Sequence, residues 1–292
     1  MVARALGALG MESTLVTFTT VGDRRLDEPL SAIGSKGLFT MELEASLLSG
    51  QIDLAVHSLK DLPTESPEGL IVGAVLTRED PRDALIVRGR VGDSLEDLPP
   101  GAKVGTSSLR RRAQLLARRP DLEVVELRGN VLTRLNKSED GRVDAAILAA
   151  AGLHRLDVQQ RITSYLDAPA WLPAAGQGAI AVQTRTSDDR MCALVDSVND
   201  VPTMCAVRAE RAFLAALDGG CQVPIGALVM EEAGFPILHG MISDVHGTRV
   251  VRGTIIVDPN YPESSGMRLA HQLRGEGASK ILEGLRRVTP VS

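Results

Sequence analysis

Three kinds of residue stand where they could do chemistry. Cys221 lies between Gly219-Gly220 and Gln222-Val223-Pro224. Glycine and proline both interrupt helices, so the sulfur belongs on a loop. Helical spacing (Ala209, Ala212, Phe213, Ala216, Leu217) leads in and a strand-like run, Ile225 to Met230, leads out. Reactive groups are often held at such junctions, but a free cysteine is also a common small buried hydrophobe, and the spacing leaves both readings open. Cys192 and Cys205, in helix-like stretches, read as packing residues.

The second kind is a carboxylate. Asp61 ends His57-Ser58-Leu59-Lys60-Asp61, beside Lys60 and before Pro63, after an expected strand from Ile52 to Val56. Open α/β sheets bind ligands at the carboxyl ends of their strands. Asp61 is therefore a candidate acid or electrostatic catalyst, with a turn cap as the alternative.

The third kind is arginine. Arg110 and Arg111 fall in the first turn of a helix capped by Thr106-Ser107-Ser108, Arg128 and Arg134 bracket the next helix start, and Arg155 follows Gly152. Cations at a helix start oppose its dipole unless an anion satisfies them, and guanidinium forks match carboxylates. These positions point to a small polyanionic ligand. Arg112, Arg118 and Arg119 read as a solvated face.

The elements that must position these residues alternate. Phe39, Leu43 and Leu47 give a helix stopped at Gly50, and Val104, Val124 to Leu127 and Ala145 to Ala149 give strands separated by helices. Leu15 to Thr19 alternates as a strand does, and Gly22 to Ser35 reads as a loop. Glu79 to Asp83 reads as a crossover linker, and the apolar run Ala179 to Val182 as a return to the first sheet. Helix and strand in alternation predict two parallel α/β sheets. Beyond Pro202 a helix leads into the Cys221 loop, and two strands flank Asp244-Val245-His246-Gly247 as a hairpin, which predicts a small α+β domain.

Composition narrows the class. At 292 residues the chain has room for two or three domains. Aromatic residues are 2% of the chain, too few for base-stacking platforms, and a net charge of −5 argues against general nucleic-acid binding. Three separated cysteines form no metal-ligand spacing and suit a reducing compartment, and no stretch is apolar for the length of a membrane span. The expectation is a cytoplasmic protein with no metal, nucleic-acid or membrane partner.

Gly219 to Gly226 resembles the cofactor-attachment loop of the hydroxymethylbilane synthase (porphobilinogen deaminase) family. His57 to Pro63 resembles its catalytic loop, and Gly105 to Arg111 and Leu127 to Asn130 with Thr133-Arg134-Leu135 its carboxylate-binding sites. Lys36 with Gly37-Leu38-Phe39, Arg78 to Ala84, Ala151-Gly152-Leu153 with Arg155, and Gly176-Gln177-Gly178 extend the likeness over nearly the whole chain.

The resemblance implies a transferase of tetrapyrrole and heme biosynthesis, joining porphobilinogen head to tail with loss of ammonia to give hydroxymethylbilane. It implies a dipyrromethane cofactor in thioether linkage to Cys221 and Asp61 as the catalytic residue. It places Ser58, Lys60, Thr106, Ser107, Ser108, Arg110, Arg111, Arg128, Gly129, Asn130 and Arg134 at the cofactor and Arg155, Gln177, Lys36 and Phe39 at the substrate. The implied fold is α/β, two parallel-sheet lobes like a two-lobed solute-binding protein plus a small α+β C-terminal domain that carries Cys221 into the cleft. Its domains are residues 1–77 with 178–198, 82–173 and 201–292, and a monomer is expected. Relatives begin with a further strand, so a shortened first lobe, unstable and weakly active, is also expected. A non-catalytic two-lobed carboxylate-binding protein and a truncated inactive member of the family are the alternatives.

Overall fold

The computed structural model describes residues 1–18, 40–90, 92–218 and 223–288. The chain divides into two compact units, one of residues 1–79 and 179–205, the other of residues 80–178 and 206–292.

In the first unit, α1 (Val2–Ala8) buries Val2 and Leu6 against Ala74, Leu76, Val182 and Val195, while Leu9, expected on the same stripe, lies beyond the helix and is exposed. Residues 11–18 form no strand, and Leu15 is exposed, so alternation alone did not make a strand there. The expected loop of residues 22–35 lies outside the described residues. Helix α2 (Met41–Leu48) packs Leu47 on Ala55 and Leu70 and stops at Gly50, whose φ of 75° suits glycine. The sheet runs β1 (Ala55–Ser58), β8 (Ile180–Arg185), β2 (Leu70–Val75), with β8 in the centre. The expected return of the chain at residues 179–182 is therefore realised. Helix α6 (Asp189–Asp196) follows β8, its N-cap Asp188 accepting from Met191 N.

In the second unit, the order is β5 (Glu123–Val125), β4 (Lys103–Gly105), β6 (Ala145–Ala149), β3 (Asp83–Val87), β7 (Ser164–Leu166). Helices α3 (Leu109–Arg118), α4 (Val131–Glu139) and α5 (Ala150–Arg155) connect its strands. Leu85, Val104, Leu115, Ile147 and Trp171 form one core cluster, and Ala84, Ile86, Leu135 and Leu153 another.

Neither sheet is purely parallel: the second unit's five-stranded sheet is mixed, and both strand pairs of the first unit's sheet are antiparallel. β4 pairs parallel with β5 and β6, but β3 pairs antiparallel with β6 and β7, and β8 antiparallel with β1 and β2. The departures are β3 and β8, the first strands after the chain passes from one unit to the other. Freed from a local βαβ crossover, such strands can enter their sheet in either direction.

Helix α7 (Val201–Ala216) leads to an antiparallel sheet of β11 (Val250–Ile256), β10 (Phe235–Ser243) and β9 (Ile225–Glu232). The β10–β11 hairpin is the one expected around residues 244–247. Helices α8 (Pro262–Leu273) and α9 (Ser279–Val288) complete the α+β part. It rests on the 80–178 part at Gly247, where an added Cβ would stand 2.2 Å from Ala113 O, and through Arg252, which donates to Pro169 O and Ala170 O.

Candidate active site

Strand β1 runs further than expected and takes in His57 and Ser58. The 3-10 turn Leu59–Asp61 follows, fixed by Leu59 N donating to Ala179 O at 3.0 Å and by burial of Leu59. Ser58 and Asp61 are exposed and Lys60 half-buried, so the turn presents its polar side chains to solvent while its apolar one anchors it. No ion pair holds Asp61 among the described residues. His57 is buried, with Nε2 3.1 Å from Gln183 Oε1.

The arginine sites of the second unit grow from helix starts. Ser108 caps α3, its Oγ accepting from Arg111 N, while Thr106 Oγ1 accepts from Ser108 N and Ser107 Oγ donates to Leu127 O. Asn130 caps α4 by accepting from Thr133 N at 2.8 Å. Gly129 precedes it at φ 116°, where an added Cβ would also stand 2.7 Å from Thr133 Cγ2, so only glycine fits the approach. Arg128 lies 3.9 Å from Glu126, and Lys137 Nζ holds the Arg128 carbonyl at 2.9 Å. Arg134 opens α4. Arg155 closes α5, and its Nη2 donates to Gly178 O at 2.6 Å.

Arg110 and Arg111 correct the expectation that a ligand must satisfy them. Both are buried, and the anion is the protein's own Asp83. Arg110 Nη1 donates to Asp83 Oδ2 at 2.7 Å and to Leu172 O at 2.8 Å. Arg111 Nη2 donates to Asp83 Oδ1 at 2.7 Å, and its Nη1 to Ile147 O at 3.0 Å. Trp171 Nε1 and Gln177 Nε2 add two more bonds to the same carboxylate, each 2.8 Å long. Burial works against the charge of Asp83, but Arg110 and Arg111 outweigh it and hold the carboxyl well below the usual carboxylate range. Asp83 is thus a hub rather than a linker residue. Its signal was the run Ala84-Leu85-Ile86-Val87 behind it, since a charge heading a buried strand must be paired.

Gln177 donates further to Pro81 O and Arg82 O at 2.7 and 3.2 Å. Its backbone turn is fixed by Glu210 of α7, which accepts from Gly176 N at 2.7 Å and from Val229 N of β9 at 2.9 Å. The helix before the Cys221 loop and the strand after it are thereby tied to the Gln177 turn by one carboxylate, a role spacing did not suggest. Cys221, Lys36 and Phe39 lie outside the described residues.

Two family models match the chain in order. The model for the porphobilinogen deaminase dipyromethane cofactor binding domain matches residues 1–193, and that for the porphobilinogen deaminase C-terminal domain matches residues 204–275. The chain belongs to the porphobilinogen deaminase family. The porphobilinogen deaminase of Moorella thermoacetica is 50% identical over 277 residues, 95% of this chain and 88% of the relative. That of Syntrophotalea carbinolica is 48% identical over 281 residues, 96% and 88% of the two chains. Among solved structures, the VFT2 domain of Bordetella pertussis BvgS matches 68% of this chain and 75% of its own at a TM-score of 0.40 and 20% identity. Among the described residues no helix is long and apolar enough to cross a membrane, and no group of histidine, cysteine and carboxylate side chains could hold a metal.

Proposed function

We propose that this chain joins porphobilinogen units head to tail, releasing ammonia, to form hydroxymethylbilane, and that it does so as a cytoplasmic monomer with three domains, residues 1–77 with 178–198, 82–173 and 201–292. The observation that carries the reading is the ordered match of both porphobilinogen deaminase models, the cofactor-binding one included.

The residues suit the group the family binds. Dipyrromethane and porphobilinogen carry acetate and propionate carboxylates, and Arg128, Arg134 and Arg155 supply charge-assisted donors at helix ends. Thr106, Ser107, Ser108, Gly129 and Asn130 hold the shape of those helix starts. When bound, through Cys221, dipyrromethane supplies the primer on which the product is built. Asp61, exposed on its turn beside Ser58 and Lys60, places a negative charge against the cation that porphobilinogen becomes as its amine leaves, and can pass a proton to that amine. Arg110 and Arg111 act by keeping Asp83 charged and Gln177 in place. Lys36, Phe39, Arg155 and Gln177 belong to the substrate side.

The test is intact-mass spectrometry with a bilane-formation assay. Added mass equal to dipyrromethane, lost in Cys221→Ser but kept in Cys192→Ser and Cys205→Ser, is expected together with turnover. An active protein carrying no added mass would refute the cofactor assignment.

A further inference from the structure

Behind the Asp61 turn lies a buried imidazole that the proposed chemistry does not use. His57 is 8% exposed and Gln183 1%. Both sit on one face of the β1–β8 pair, because Ala181 stands opposite His57 and Gln183 opposite Ala55, which makes them diagonal neighbours. The amide oxygen only accepts, so His57 brings its Nε2–H to that 3.1 Å contact, and the neutral ring keeps its lone pair on Nδ1. Gln183 Nε2 is buried without a hydrogen-bond partner among the described residues. The site therefore gives the ring a neutral partner where a carboxylate would have drawn a second proton onto it.

Among the described residues the charged surroundings are sparse. Lys60 and Asp61 lie on the ring's own segment, Arg185 on β8, Glu42 and Glu44 on α2, and β2 carries no charged residue. Of these, Asp61 is the one whose charge acts on His57. Burial pulls the proton affinity of the ring down, the Gln183 bond and Asp61 pull it up, and burial prevails.

We propose that His57 is a positioning residue for Asp61: a neutral imidazole, tied to β8 by Gln183, that anchors the catalytic turn without cancelling its charge. This rests on Asp61 being the charge that answers the substrate cation. An imidazolium four residues away would pair with Asp61 and offset that charge.

Two measurements on the full chain test it. In Gln183→Glu the added carboxylate should protonate His57, moving the acidic limb of the kcat profile up by on the order of one pH unit. At pH 7 kcat should fall several-fold, with KM changing less. Gln183→Met, similar in size and uncharged, should leave that limb in place. Independently, the His57 ring signals, assigned by their loss in His57→Asn, should titrate below about pH 6.5, the ordinary histidine value, and lower still in Asp61→Asn. The proposal is overturned if the Gln183→Glu and Gln183→Met limbs coincide, if His57 titrates at or above the ordinary value, or if Asp61→Asn leaves its midpoint unmoved. Failure of the Asp61 assignment would look different: Asp61→Asn would turn over normally while the titration coupling persisted.

Discussion

Each unit holds an aspartate at the end of a strand, and the two are treated in opposite ways. Asp83, at the start of β3, is 0% exposed and bonded to two guanidiniums, an indole and an amide. Asp61, just past the end of β1, is exposed on a single 3-10 turn, with a buried neutral imidazole behind it. A carboxylate whose lone pairs are all committed can organise a lobe but has nothing left for a ligand. One whose lone pairs face outward contributes little to the fold and can answer a charge that appears during a reaction. The contrast separates architecture from chemistry better than residue type does.

The largest effect should come from the buried member. Asp83→Asn leaves Arg110 and Arg111 buried without a counter-charge, which should cost about 3–5 kcal/mol. Denaturant unfolding followed by Trp171, the one tryptophan and a direct partner of Asp83, reads this loss. A stability change below about 1 kcal/mol, the range of an exposed pair, would remove the hub from the comparison.

Asp61→Asn should do the reverse. Stability should hardly change, while turnover falls by about 10²-fold or more. A fall in turnover no larger than the change in melting temperature explains would make Asp61 a turn cap.

Smaller, and sharper as a control, is the contrast among arginines. Replacing Arg128, Arg134 or Arg155 by leucine should remove about 1.5–3 kcal/mol each of charge-assisted binding, read as loss of cofactor-bearing protein by intact mass or as raised KM. Arg118, exposed 3.8 Å from Glu96, should show little on substitution. Equal small effects at all four would turn these arginines into a solvated face.

The smallest effect is one of pH. His57 has a lowered proton affinity in the fold, so its contribution to stability is full above about pH 6.5 and is lost as pH falls through its folded value. Asp83 is also lowered, so its contribution is full above about pH 4 and is lost only in stronger acid. The protection of amides in residues 55–62, taken relative to the intrinsic exchange rate at each pH, should therefore fall on acidification before the Trp171 signal changes. The opposite order would break the comparison.

Much of this was legible in the residues. The His57-to-Pro63 stretch and the helix starts carry glycines, a proline and caps whose backbone demands are local, and local demands can be read from a short window. The return at residues 179–182 and the 244–247 hairpin were readable for the same reason. What escaped depends on distant partners. Asp83 meets Arg110, Arg111, Trp171 and Gln177, none within twenty residues of it, and no window contains that cluster. The directions of β3 and β8 escaped because a strand's sense is set by the sheet it joins. Leu15 alternated convincingly but has no sheet to join among the described residues.

The central position of β8 has a consequence for synthesis on the ribosome. β1 and β2 do not pair with each other; each pairs with β8, so Ala55 and Val72 both wait for Gln183. The stretch from Val75 to Ile180 takes roughly 5–20 s to translate at typical elongation rates. Throughout that interval the nascent first unit holds two strands with open edges, a state prone to mispairing. The second unit's five-stranded sheet emerges meanwhile, complete by Leu166. The sheet begun first is therefore completed after the five-stranded one, and chaperone occupancy on the nascent chain should be highest before β8 leaves the exit tunnel.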